Sequence, residues 1–185
     1  MKDLIFGTDV GGVILDKAND GTDTSFLGGN HLKTTAMPGA IETLRTIRDH
    51  VADRARRQAE AKAVPYDEAH PPIYVVSKCG ENVQRKTREW MRHHDFYART
   101  GIPEDHVRFC LERKDKAPIC RDLGITHFVD DKLEVLSYLE SVPKRYLFCP
   151  SEREVGRYKR HLALVEPTGS WSDLLRKFLD SDKDA

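Results

Sequence analysis

The sequence has no excess charge of either sign, no long apolar run and no cysteine cluster. Lys plus Arg and Asp plus Glu each total 30 in 185 residues. That balance excludes a broad nucleic-acid surface, which needs a basic footprint. No apolar stretch reaches the length of a membrane span. The amino terminus, Met1 to Asp9, meets an acid too early for a secretory signal. Cys79, Cys110, Cys120 and Cys149 show no CxxC spacing and no Cys/His cluster. They read as free thiols of a reducing compartment, so a cytoplasmic protein is expected. Repeats and low-complexity tracts are absent too. What remains is a chain of one-domain length, able to bury a sizeable core.

The chain is organised around Leu4 to Asp16. A short apolar run ends on Asp9, glycines follow at 11 and 12, and a second apolar run begins. A buried strand that stops on a carboxylate and enters a glycine turn presents that carboxylate at the carboxyl end of a sheet. Ligands of open α/β sheets sit there. Strands are expected at 3–8, 73–76, 107–111, 126–129 and 145–149, with a short one at 162–165. Helices are expected from 39 to about 62, and over 81–96, 115–123, 133–139, 152–160 and 171–179. Residues 54–62 have few apolar side chains and read as a solvated helical extension. Residues 16–37, rich in Gly, Asp, Asn and Thr, read as a flap or loop. Residues 151–185 read as a helical extension of a single domain. Trp90 and Trp171 are expected to pack, and His93, His94 and His127 to be surface or core histidines.

Alternating strands and helices imply a parallel sheet with right-handed crossovers. Three strand ends are polar: Asp9, Ser77 and Asp130. In such a sheet these ends share one edge. Two acids and a backbone carbonyl there make a hard oxygen site, suited to Mg²⁺. The set does not suit zinc, because no His or Cys lies at ligand spacing. Ser77 and an ammonium from Lys116 or Lys114 would complement phosphate oxygens. The amides of Val10, Gly11 and Gly12 could add donors in an anion nest. Asp131 either supports the metal or caps the helix after it.

On these residues the chain resembles the haloacid dehalogenase-like superfamily, whose best-known branches are Mg²⁺-dependent phosphatases. Asp9 matches the motif of the aspartate nucleophile. Ser77 matches the Ser/Thr motif that hydrogen-bonds the phosphoryl group, with Lys78 beside it. Lys116 matches the phosphate-neutralising lysine, and Asp130 with Asp131 the acidic metal motif. The compact spacing from Lys116 to Asp130 is similar to that of small nucleotidase-like branches. The resemblance implies a three-layer Rossmann-like α/β fold with sheet order 5-4-1-2-3, helices on both faces and no large cap. It implies Mg²⁺ held by Asp9, the Gly11 carbonyl, Asp130 and Asp131. It also implies a phosphorylated small molecule or macromolecule as partner. Most phosphatases of the family carry a second Asp two residues after the nucleophile, as general acid and base. Here that position is Gly11. The alternative is therefore a catalytically impaired member that binds a phosphorylated ligand or protein.

Overall fold

The computed structural model describes residues 3–16 and 30–183. Its centre is a six-stranded parallel sheet in the order β3-β2-β1-β4-β5-β6. The strands are β1 Phe6–Thr8, β2 Ile73–Lys78, β3 Val107–Cys110, β4 His127–Asp130, β5 Lys144–Phe148 and β6 Glu166–Thr168. The order expected for the first five strands is present, with β6 added outside β5. The helices are α1 Ala40–Ala61, α2 Glu81–His93, α3 Phe96–Thr100, α4 Lys116–Asp122, α5 Leu133–Tyr138, α6 Glu152–Tyr158 and α7 Trp171–Lys183.

Two apolar clusters flank the sheet and make the three layers. One joins Phe6, Val75 and Val129 to Ile41, Leu44, Ile47 and Val51 of α1, with Trp90 of α2 and Trp171 and Phe178 of α7. The other joins Val76, Phe128 and Leu147 to Cys120 of α4 and to Leu133 and Leu136 of α5. Gly7 lets β1 and β4 meet closely. A Cβ built there would stand 2.5 Å from the Phe128 ring, too near for any side chain. Cys79, Cys110 and Cys120 are buried and Cys149 is exposed. Among the described residues no helix is long and apolar enough to cross a membrane.

Three local expectations need correction. The strand expected at 162–165 is a 3-10 segment, Lys159–Leu164, and the strand comes just after it as β6. Pro167 confines that strand to a sheet edge, because it has no amide to donate. The helix expected over 81–96 stops at His93. Asp95, at φ 52°, then turns the chain into α3. Residues 54–62 are not simply solvated. Arg54 is buried and paired with Asp182 of α7, and Gln58 and Ala59 are buried beside it. Most of the expected flap, residues 17–29, lies outside the described residues. Its end is packed down: Trp90 Nε1 donates to the Thr34 carbonyl at 2.8 Å, and Ala36 bridges Leu15.

His127 is a core histidine. It stacks against Tyr146, meets the Phe178 edge, and has Thr126 Oγ1 and Ser181 Oγ at 2.9 and 3.2 Å. Burial pushes its pKa down from 6.5 to about 4. A depressed pKa means the unfolded chain takes up the proton first as pH falls. Stability held above pH 6.5 is therefore lost as pH drops through about 4. The swing is up to about 3 kcal/mol. His127→Gln should remove it. Chemical denaturation of both proteins from pH 7 to pH 4 tests this, and parallel profiles would sink it.

Candidate active site

The sheet register assembles the site. Thr8 lies opposite Val75 on one side and Val129 on the other. The next residues therefore leave the sheet at one edge, and the Asp9 amide donates to the Val129 carbonyl at 3.0 Å. Asp9, Val10, Gly11, Ser77, Lys78, Lys116, Asp130 and Asp131 all line one cavity there. Asp9, Asp130 and Asp131 each offer a carboxylate oxygen, all within 4.8 Å of one another.

Lys116 is the centre of the charge arrangement. Its side chain is fully buried at the first turn of α4. Nζ stands 2.7 Å from Asp130 Oδ2 and 2.8 Å from Asp9 Oδ1. The first contact is an aligned hydrogen bond. The second is an ion pair off hydrogen-bond alignment, which leaves Asp9 Oδ1 without a hydrogen-bond donor. Burial works against the ammonium, but Asp130 and Asp9 outweigh it and raise the lysine pKa. Asp130 is pushed up to about 7 by full burial, held back by Lys116 and pushed further by Asp9 and Asp131. A fully buried carboxylate crowded by two others is a group that a cation would settle in its charged form. Lys114 points the other way. It is largely exposed and pairs with Glu112 at 2.8 Å.

The loop after β1 is pinned by hydrogen bonds. The Ile14 and Leu15 amides both donate to the Val10 carbonyl at 2.9 Å. Trp171 Nε1 holds the Val13 carbonyl at 2.9 Å, and the Met37 amide holds that of Ile14 at 2.8 Å. Gly12 corrects the expected anion nest. Its amide donates to the Leu15 carbonyl at 2.9 Å, and it does not line the cavity. Its φ of 74° makes the turn, which is a glycine's role. Val10 and Gly11 remain on the cavity wall.

Sequence reasoning missed part of the wall. Arg113 and Lys132 line the cavity. Arg113 pairs with Glu134 at 2.6 Å, and Lys132 Nζ lies 3.6 Å from Asp131. Both adjoin recognised motifs, so their neighbours were the available signal. The Lys132 amide also donates to Asp130 Oδ1 at 2.9 Å. His31, the flap residue with proton-transfer chemistry, is not on the wall. It is held by Glu89 at 2.8 Å.

No protein-family model matches the chain, and no curated protein matches it. Among solved structures, the chain is similar to a Burkholderia xenovorans LB400 protein described as a haloacid dehalogenase-like hydrolase. The two share 16% identity over 94% of this chain and 97% of the other, with a TM-score of 0.51. That likeness is one of fold.

Proposed function

We propose that this chain is a Mg²⁺-dependent phosphohydrolase of the haloacid dehalogenase-like class, with Asp9 as nucleophile. The observation that supports it best is the Lys116 ammonium held between Asp9 and Asp130, on a cavity also lined by Ser77. The fold likeness adds to that support.

The donor set fits Mg²⁺. Three carboxylates offer oxygen ligands within 4.8 Å, with neither sulfur nor imidazole among them. Asp9, Asp130 and the Gly11 carbonyl would hold the ion, with Asp131 in support. Bound there, Mg²⁺ would stabilise negative charge on the phosphoryl oxygens. The chain's own groups do the rest. Lys116 pairs with Asp9 and faces the transferring phosphoryl group. The Ser77 hydroxyl and the amides of Val10 and Gly11 donate to its oxygens. Lys78, exposed on the rim, attracts the anionic substrate. An Asp9 oxygen attacks phosphorus, the ester P–O bond breaks, and the leaving group departs with the bonding pair as an alkoxide or phenoxide that takes its proton from solvent water. Water then attacks the aspartyl-phosphate, releasing phosphate and restoring the carboxylate. The substrate class is a phosphorylated small molecule or a phosphorylated group on a macromolecule.

A second reading, a weak enzyme that mainly binds phosphorylated ligands, is favoured by Gly11. No side chain there can carry a proton. Cys79 cannot replace it, since burial pushes its thiol up to about 12. Turnover of a phosphate-ester panel with and without Mg²⁺, with Asp9→Asn as control, separates the two. Metal-dependent turnover lost in Asp9→Asn is the expected result. Phosphate binding without turnover of any ester would favour the second reading.

Mg²⁺ should also raise the melting temperature, because a ligand that binds only the folded state stabilises it by mass action. Asp130→Asn should blunt that response. Equal thermal shifts in both proteins at millimolar Mg²⁺ would place the ion elsewhere.

A further inference from the structure

A second cluster of ligand groups lies at the opposite edge of the sheet, before the amino ends of β2 and β3. His70 lies just before Pro71 and Pro72 in the connection from α1 to β2, and Asp105 and His106 lie in the 3-10 turn Glu104–His106 that enters β3. Each of the three offers a ligand atom, all within 4.8 Å of one another. We infer that His70, Asp105 and His106 form a site for a borderline divalent transition metal of the Zn²⁺ type.

The surroundings of both imidazoles favour ligation. His70 Nδ1 lies 2.7 Å from Asp67 Oδ2, and His106 Nδ1 lies 2.9 Å from the Ile73 carbonyl. A carbonyl can only accept, so His106 carries its proton on Nδ1 and keeps its lone pair on Nε2. The Asp67 carboxylate accepts from the Nδ1–H of His70 and leaves Nε2 as the ring's ligand atom. A carboxylate or carbonyl behind each ring is the usual support for a metal-bound histidine. His70 Nε2 already faces Asp105 Oδ2 at 3.4 Å. The His106 ring is buried. Its plane is fixed by stacking on Tyr74, with ring centres 4.4 Å apart.

Two nitrogens and one carboxylate suit Zn²⁺ and its neighbours rather than Mg²⁺, and water can complete the fourth position. His70 and Asp105 are exposed, so their side chains can close on an ion at little cost, while buried His106 supplies the fixed point. The ion would tie the connection before β2 to the turn before β3. That role is independent of the phosphohydrolase reading, whose groups lie at the other ends of these strands.

Calorimetric titration of the full chain with ZnCl₂ in saturating MgCl₂ tests this. The Mg²⁺ keeps the Asp9–Asp130 cavity out of the measurement. One Zn²⁺ per chain is expected, with affinity retained in Asp130→Asn. His70→Gln should lose at least about tenfold, and the supporting Asp67→Asn about 10–100-fold. Both residues are exposed, so folding should survive. Co²⁺ should give visible absorption of a four-coordinate site in the wild type and lose it in His70→Gln. Absence of Zn²⁺ binding, equal affinity in His70→Gln, or loss of binding in Asp130→Asn would overturn the site.

Discussion

Replacing Gly11 by Asp is expected to raise hydrolysis of alkyl phosphates by ~10²–10⁴-fold, and that of aryl phosphates far less. An alkyl ester leaves as a basic alkoxide unless an acid protonates it. An aryl ester leaves as a stable phenoxide and needs that help less. Among the described residues, Gly11 offers no such acid, the buried Cys79 thiol yields its proton too reluctantly, Asp130 is tied to Lys116, and His31 is bound to Glu89 away from the wall. Water attack on the aspartyl-phosphate lacks a base for the same reason. Wild type should therefore favour aryl over alkyl phosphates and show a burst in the first turnover. The backbone permits the test. Gly11 is not among the described glycines with positive φ, whereas Gly12 next to it is, at 74°. Steady-state rates on matched aryl and alkyl esters decide the matter. If wild type cleaves both equally fast, another group supplies the proton.

Lys116→Met should abolish phosphate and vanadate binding and destabilise the metal-free fold by about 3–5 kcal/mol near neutral pH. The lysine answers two buried carboxylates at once, at 2.7 and 2.8 Å. Without it, Asp130 keeps, among the described residues, only its backbone donor, the Lys132 amide. The loss should shrink as pH falls. Asp130 already binds its proton more readily than an unfolded Asp, being pushed up to about 7. Removing the ammonium moves it further in that direction. A raised carboxyl pKa destabilises the fold as pH rises through it, and the penalty fades below it. Lys114→Met should leave binding and stability unchanged, since its partner Glu112 and the lysine itself are exposed. Denaturation midpoints at pH 5 and pH 7.5, with vanadate affinity, test both variants. Equal effects at 114 and 116, or a Lys116→Met penalty that grows at pH 5, would contradict the charge arrangement.

The sheet and much of the cavity were legible because their signals are local. Short β-branched runs such as Ile73 to Val76, each closed by a polar residue, show the strands and the groups at their ends. Parallel strand direction then brings those ends to one edge. Gly11 was legible as an absence, since a missing side chain needs no coordinates. Local pattern was a poorer guide at the sixth strand. It was placed at 162–165 on apolar content, but those residues pack as a 3-10 segment and the edge strand follows at Glu166.

What the sequence alone determined, then, is the fold class, the strand order of the first five strands and the residue types at their carboxyl ends. The fold class and the strand-end residues follow from periodicity and chain direction, and the strand order from the resemblance of the motifs to the haloacid dehalogenase-like superfamily. The structure decided what depends on distance between residues far apart in the chain. It placed Lys116 between Asp9 and Asp130 while Lys114 faces solvent, a difference of direction that two lysines two positions apart do not reveal. It showed the Gly12 amide bonded to Leu15 rather than facing the cavity. It also brought His70 beside Asp105 and His106, although no ligand spacing in the chain announces that cluster. Side-chain direction and hydrogen-bond partners are set only when the layers pack, because each donor and acceptor is then matched to neighbours that sequence order does not name.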